Sequence, residues 1–286
     1  MPIYAPSLPP RPDPQQGQPP ALVLARFEIR RILKQRLGRF FGFAFGLLLI
    51  LDLGLLYFRH LTGSGGLLGG AGGLAQHFLP QGAAFQAGLL GKGLLLLLWL
   101  QVALVGGGLV ARDTLYRIRP LLYAHPVAPR DYLLGKGLVA MGAPFLIQLP
   151  FILLPWGMSL LMAGAQGPVW PSTPLRLVPA ALLVALLMGA LTLGASALAS
   201  TPRGGFAWAM GVALGCGAVG TILSGLLHDP RWAVVSPMAL AEAWPGLLCG
   251  APGELGWVAT GLGTLVHGGL WLGVAAARTR PGEVTP

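Results

Sequence analysis

The sequence predicts an all-α integral membrane protein with six transmembrane helices, and three observations support that prediction. Only 10% of the 286 residues are charged, against about 25% in soluble domains. Hydrophobic residues make up 54% of the chain, and the mean hydropathy is +0.69. Six stretches are apolar and long enough to cross a hydrocarbon core of about 30 Å, which takes about 20 helical residues. So few charges could not cover a soluble surface, which excludes a simple soluble enzyme.

The charged residues separate these stretches from one another and define a six-span domain over residues 40–278. The spans are expected at about 40–58, 88–111, 137–163, 177–200, 206–227 and 255–277. Asp52 in the first span and His267 in the sixth are ionisable side chains at depth, and Lys92 lies near the outer end of the second span.

The N-terminal region differs from this apolar domain. Eight of the first 20 residues are proline, so we expect residues 1–20 to be a disordered, Pro-rich tail. Residues 21–39 interleave apolar and basic residues with the spacing of an amphipathic helix, expected in the membrane interface with its cations toward anionic lipid. A plain membrane anchor and a docking surface for a cytoplasmic partner are both possible roles of that helix.

The distribution of Lys and Arg predicts the orientation. With the N-terminus inside, 15 of the 19 basic residues fall on inner segments and 4 on outer ones. We therefore expect a multi-pass protein of the cell inner (plasma) membrane with both termini cytoplasmic, including a short tail over residues 279–286. The net charge of +10 is then explained by basic residues that mark the cytoplasmic side and cluster where a partner would dock. No nucleic-acid partner is expected.

The segment between the second and third predicted spans, residues 112–136, mixes charges with large apolar and aromatic side chains. Pro120, Pro126 and Pro129 divide it into short pieces. Short helices with such faces need a protein surface or the lipid interface to cover them. An ordinary inner loop held at the lipid surface is the alternative.

In this segment the chain resembles the ABC type-2 transporter permeases. Members of that family often carry Ala-Arg-Asp or Ala-Arg-Glu after the second span. They continue with a Leu-rich segment, here Leu121-Leu122-Tyr123-Ala124, and then with Pro-(Val/Leu)-Ser-Arg-(Arg/Asp/Glu)-Tyr-Leu-Leu-Gly-Lys, which leads into the third span. The matching residues here are Ala111-Arg112-Asp113, Pro126-Val127 and Arg130-Asp131-Tyr132-Leu133-Leu134-Gly135-Lys136. The sequence departs from the family pattern at residues 117–120, where a Gly-containing turn is common, and at Ala128-Pro129. The basic N-terminal helix, the six spans and Ser236-Pro237 are also similar to the family.

The resemblance implies the permease subunit of an ABC transporter, an exporter that pairs with a second permease chain as a homodimer or heterodimer. A separate ABC ATPase subunit would bind ATP and Mg²⁺, and a coupling helix in the loop would sit in a cleft of that subunit. This chain would have no catalytic residue, cofactor or metal. The candidates for docking contacts are Leu121, Leu122, Tyr123 and His125, oriented by Arg112, Asp113, Arg130 and Asp131. The resemblance also implies short helices within residues 228–254 that dip back into the outer leaflet.

The residues alone agree with an ATPase partner. No Gly-x-x-x-x-Gly-Lys-Ser/Thr phosphate loop occurs in the chain, so ATP hydrolysis is expected only in another subunit. The five histidines show no close ligand spacing, and no cysteine pair has the spacing of a zinc site.

Ionisable residues within spans are functional candidates. Asp52 is expected to pair with Arg59 or Lys92, and lining a substrate path is its alternative role. His267 is expected to hydrogen-bond across helices, with lining a path again the alternative. Because few charges face the membrane interior, hydrophobic or lipid-like cargo is favoured over ions.

Other functions fit parts of the sequence less well. Ser196 and His267 suggest the serine–histidine pair of a rhomboid-like intramembrane protease, but their depths differ by about seven residues, or about 10 Å. That separation is too long for the hydrogen bond such a pair needs, so Ser196 is better explained by helix packing. A non-transporting assembly factor or an ATP-independent channel is the main alternative to the permease.

Two groups of small residues predict where helices bend or approach each other. Gly106-Gly107-Gly108, just before the loop, could be a hinge or a site of close packing. Ala207, Gly211 and Gly215 recur every four residues in the fifth span, which predicts a close-packing stripe.

Overall fold

The fold is seen in a computed structural model that describes residues 19–63, 87–118, 122, 127–163, 172–250 and 255–279. These residues are almost entirely helical and contain no β-strand, in agreement with the predicted all-α class. The predicted tails, 1–20 and 279–286, lie almost wholly outside this description.

The described helices are amphipathic or apolar segments. In chain order they are α1 (Pro20–Lys34), α2 (Arg36–Gly63), α3 (Leu95–Gly106), α4 (Ala111–Leu115), α5 (Pro129–Ala163), α6 (Thr173–Leu198), α7 (Pro202–Leu227), α8 (Pro237–Leu248) and α9 (Trp257–Arg278). A π-helical turn, Leu89–Gly93, precedes α3, and a 3-10 turn, Pro230–Val235, precedes α8.

Six helical stretches of the described chain are long and apolar enough to cross a membrane, as predicted. They are Arg36–Phe58, Leu89–Leu115, Pro129–Met162, Thr173–Leu198, Pro202–Leu227 and Trp257–Arg278. The third begins at Pro129, earlier than the expected start near Gly137, because proline suits the first turn of a helix. Residues 129–136 of the predicted loop are therefore the first turns of α5. The interfacial position of α1 and the dip of the helices around α8 into the outer leaflet stay predictions.

α6 is the central helix, and it packs against α5, α7, α8 and α9. Two glycines allow the closest approaches. A Cβ atom on Gly189 would lie 2.8 Å from the backbone carbonyl carbon of Ala140 in α5, and one on Gly194 would lie 2.7 Å from the carbonyl oxygen of Trp271 in α9. Small residues thus bring the backbones together, the usual mode of helix association in membranes.

α2, α7 and α9 surround this core and are covered much less by protein. Only 17%, 11% and 22% of the residues in their most apolar stretches are buried. Apolar surface on this scale needs lipid or another chain to cover it.

The buried stripe of α7 differs from the predicted one. A Cβ atom on Gly211 or Gly215 would meet nothing within 4 Å, so the predicted stripe at 207, 211 and 215 does not pack within the described chain. The buried small residues lie two positions away, at Gly205, Ala209 and Ala213. Within the described chain the predicted stripe is therefore not the one that packs. Both series repeat every four residues, and spacing alone does not tell which one faces the neighbouring helices.

Gly107 and Gly205 bring the end of α3 and the start of α7 into backbone contact. A Cβ atom on Gly205 would lie 1.9 Å from the Gly107 carbonyl oxygen. Close packing is therefore the role that the structure shows for Gly107, out of the two that the sequence left open.

Candidate functional site

A cluster of charged and polar side chains lies where α1, α4 and α5 meet. It consists of Glu28 and Arg31 on α1, Asp113 on α4, and Tyr132 and Lys136 on α5, and we call it the ion cluster. Asp113 and Lys136 stand at the two ends of the loop 112–136, so the cluster joins both ends of that loop to the N-terminal helix.

Lys136 is the centre of the ion cluster. Its Nζ atom lies 2.5 Å from Glu28 Oε1 and 2.6 Å from Asp113 Oδ2. It also lies 5.5 Å from the centroid of the Tyr132 ring, within the range of a cation–π contact. Lys136 is 0% exposed. An ammonium group buried to this extent needs compensating charge, and the two carboxylates supply it.

Each carboxylate also contacts a second group. Arg31 Nη2 lies 2.7 Å from Glu28 Oε2, and the Tyr132 hydroxyl donates to Asp113 Oδ2 at 2.9 Å. Glu28 and Asp113 are only 2% and 3% exposed. The cluster thus combines two anions with two cations, which balances the charge of a site that is buried except at Arg31, where a quarter of the side chain is exposed.

The local sequence explains how α1 reaches α5. Ala21, Ala25 and Glu28 are the buried residues of α1, and their spacing places them on one face of the helix. On α5, a Cβ atom at Gly135 would lie 2.8 Å from the Ala21 carbonyl oxygen. Gly135 therefore makes room for the α1 backbone, and the adjacent Lys136 pairs with Glu28.

Ser196 of α6 holds the start of α4. Its Oγ atom accepts hydrogen bonds from the backbone amides of Val110, at 2.9 Å, and Ala111, at 3.1 Å. The first amides of a helix have no partner within the helix, so this buried hydroxyl satisfies two of them. The contact fixes the position of Asp113 relative to the central helix.

The structure describes five of the eight residues predicted to dock or to orient the docking contacts. Asp113 belongs to the ion cluster, Arg112 and Leu122 are half-buried, and Arg130 and Asp131 lie in the first turn of α5, exposed and half-buried respectively. Leu121, Tyr123 and His125 lie outside the described residues, so their predicted contacts stay predictions.

Sequence reasoning did not single out Glu28, and it included Tyr132 and Lys136 only as part of a motif. A signal for Glu28 was present. It is the only acidic residue in the basic segment 21–39, and it falls on the same face as Ala21 and Ala25. A lone carboxylate on the small apolar face of a basic helix indicates an ion pair with a neighbouring helix.

Asp52 is separate from the ion cluster. It is 2% exposed, and among the residues that the structure describes neither of its carboxylate oxygens has a hydrogen-bond partner. The side chains of Arg59 and Lys92 are outside the description, so the ion pair predicted for Asp52 stays a prediction.

His267 and Ser196 bond to backbone groups and not to each other. His267 Nε2 lies 3.1 Å from the Val235 carbonyl oxygen in the 3-10 turn before α8, and a nitrogen facing a carbonyl must donate. Ser196 accepts from the amides at the start of α4. The pair that a serine protease would need is therefore not formed.

A recess lies at the other end of α7 from the ion cluster, between α7 and α8. Its volume is about 320 Å³, within the range of about 300–1,000 Å³ typical of small-ligand sites. The lining is mainly apolar and includes Leu214, Ala233, Met238, Thr221, Ser236 and Glu242. Its lining thus combines an apolar surface with two hydroxyl groups and one carboxylate.

Within the described part of the chain, no group of three or more His, Cys, Asp or Glu residues is arranged to hold a metal ion. In comparisons with known proteins, no family model and no curated protein matches this chain.

Proposed function

We propose that this chain is the membrane-spanning permease subunit of an ABC transporter, acting as an exporter with a separate ATP-binding subunit. The resemblance of residues 111–136 to the type-2 permeases supports this proposal, together with the six apolar helices. The observation that carries it furthest is the ion cluster, because it ties both ends of the predicted docking loop to α1.

The ion cluster suits the transmission of force. Asp113 lies at the start of the loop 112–136 and Lys136 at its end, and the two side chains form a buried ion pair. Closely packed interiors resist continuous deformation, so a push on the loop would move α1, α4 and the start of α5 together. The Ser196 bonds and the contact between Gly107 and Gly205 extend that movement to α6 and α7. Rigid-body coupling of this kind is a recognised mode of conformational switching.

In this proposal the ATPase subunit binds the loop through Leu121, Leu122, Tyr123 and His125, and it alone holds ATP and Mg²⁺. A second permease chain, identical or related, and membrane lipids cover the exposed faces of α2, α7 and α9. Substrate passes between the two permease chains. The recess beside α8 and the scarcity of charge in the spans favour hydrophobic or lipid-like cargo.

The first test is purification of the tagged protein from membranes of its native host in a mild detergent. We expect an ABC ATPase to copurify, identified by mass spectrometry, in an amount comparable with the permease. A preparation that never contains an ATPase would contradict the proposal. ATP-independent flux through the chain alone in liposomes would instead support a channel.

The second test locates the contact. A photo-crosslinking amino acid is placed at Leu122 in the loop, and as a matched control at Trp232, which is exposed in the 3-10 turn after α7. We expect the ATPase to crosslink from position 122 and not from position 232. Equal crosslinking from both positions, or from neither, would argue against docking at the loop.

A further inference from the structure

The face of α1 opposite the ion cluster carries three cations. Arg26, Arg30 and Lys34 are spaced four residues apart, which places them along one side of the helix, and we call them the basic stripe. All three are exposed, and none forms an ion pair with a residue that the structure describes.

Large apolar side chains flank the basic stripe. Leu22, Phe27 and Leu33 are 52%, 62% and 64% exposed. On a helix that ends two residues before the first membrane-spanning helix begins, such side chains suit the boundary between lipid headgroups and acyl chains. Water alone would leave them uncovered at a free-energy cost.

We propose that the basic stripe binds the headgroups of anionic phospholipids, and that bound lipid restrains the loop 112–136 through Glu28. Clusters of Lys and Arg beside a membrane span attract anionic lipid. The flanking apolar residues favour a lipid surface over a soluble protein, because they lie on both sides of the cations. Arg36 and Arg39, both exposed at the start of α2, extend the positive charge toward the membrane.

Glu28 connects this surface to the loop. Its carboxylate faces away from the basic stripe and pairs with Lys136, which in turn pairs with Asp113. A lipid that holds α1 in place therefore holds both ends of the loop. This inference does not depend on an ATPase partner. Lipid binding by the basic stripe can therefore fail while the proposed function stands, and the proposed function can fail while lipid binding stands.

The lipid-binding step is tested on the full-length chain purified in a neutral detergent. Native mass spectrometry compares titrations with phosphatidylglycerol and phosphatidylcholine for the wild type and for the triple variant Arg26→Gln, Arg30→Gln, Lys34→Gln. Each cation near an anionic surface contributes roughly a fivefold effect, so we expect about a 100-fold loss of phosphatidylglycerol affinity and little change for phosphatidylcholine. The preference of the wild type is expected to weaken as salt is raised.

The matched control removes three exposed arginines elsewhere, in the variant Arg176→Gln, Arg203→Gln, Arg231→Gln. It should keep the lipid preference of the wild type. An equal loss in both variants would indicate a general effect of net charge and overturn the site. Unchanged lipid binding in the stripe variant would also overturn the proposed lipid site. If that variant at the same time lost a copurifying soluble protein, the basic stripe would be a protein-binding surface instead.

The connection to the loop is tested by hydrogen exchange in nanodiscs of phosphatidylglycerol or phosphatidylcholine. We expect anionic lipid to slow exchange at residues 109–118 and 129–136 of the wild type. Glu28→Gln should still bind the lipid and lose this difference, and the gentler variant Arg31→Gln, which removes only a peripheral cation, should reduce it. An undiminished lipid effect in both variants would show that Glu28 does not transmit it.

Discussion

Replacing Lys136 with Met tests the ion cluster most directly. The substitution keeps an unbranched side chain of similar length and removes the only charge within 2.6 Å of both carboxylates. Afterwards Arg31 still contacts Glu28, and the Tyr132 hydroxyl still contacts Asp113. Asp113 then has no cationic partner in the cluster, although it is only 3% exposed.

The expected magnitude follows from burial. Removing one partner of a buried ion pair costs about 3–5 kcal/mol, because it leaves an uncompensated charge. Since Glu28 keeps Arg31, most of the cost falls on Asp113. For a chain of this size we expect the thermal midpoint to fall by about 10 °C. The double variant Lys136→Met, Asp113→Asn should recover a large part of that loss, because the uncompensated charge is gone.

The assay is unfolding in detergent micelles, followed by intrinsic tryptophan fluorescence, for the wild type, the two single variants and the double variant. A double-mutant cycle isolates the interaction energy, and contacting residues typically give about 0.5–3 kcal/mol. Additive losses, with a double variant as unstable as the sum of the singles, would refute the assignment of Lys136 and Asp113 to one coupled cluster.

Three further predictions concern other parts of the fold. Ser196→Ala should cost about 1–3 kcal/mol, because two buried amides lose their acceptor, and hydrogen exchange should rise at residues 110–115; unchanged exchange would contradict the capping role. Gly205→Val should prevent a monodisperse elution profile in detergent, whereas Gly211→Val should be tolerated, because of the two only Gly205 is in backbone contact with Gly107. Equal elution profiles for the two variants would contradict the close contact between α3 and α7. Asp52→Leu should raise the thermal midpoint, because the carboxylate is buried and no side chain that the structure describes hydrogen-bonds to it. A fall would support the ion pair expected from the sequence.

The helical class and the six spans could be predicted because hydropathy and the positions of charge report directly on the membrane. Each predicted stretch is about as long as a bilayer is thick, and six helices of the described chain are long and apolar enough to cross one. The boundary at Pro129 was harder, because a Pro-rich, charged segment resembles a loop until its packing against α1 is known.

The ion cluster was less accessible to sequence reasoning. Glu28, Asp113 and Lys136 come from three separate segments, and a single sequence carries no direct record of which residues meet. The local signals were the lone acid of a basic helix and the Gly135–Lys136 pair, whose glycine admits a neighbouring backbone. The buried stripe of α7 was equally hard to predict, because Gly205 and Gly211 belong to two series of small residues with the same four-residue spacing. Only tertiary contacts show which of the two series is buried.

The pairing of Glu28 with Lys136 also bears on how the protein is made, because 108 positions of sequence separate the two residues. At about 5–20 residues per second, a ribosome needs roughly 5–20 s to proceed from one to the other. During that interval Glu28 can pair with Arg31 of its own helix but not with Lys136, which has not yet been added to the chain. The contact between Glu28 of α1 and Lys136 of α5 thus forms only after Lys136 has been made, and a chain truncated before Lys136 lacks that contact.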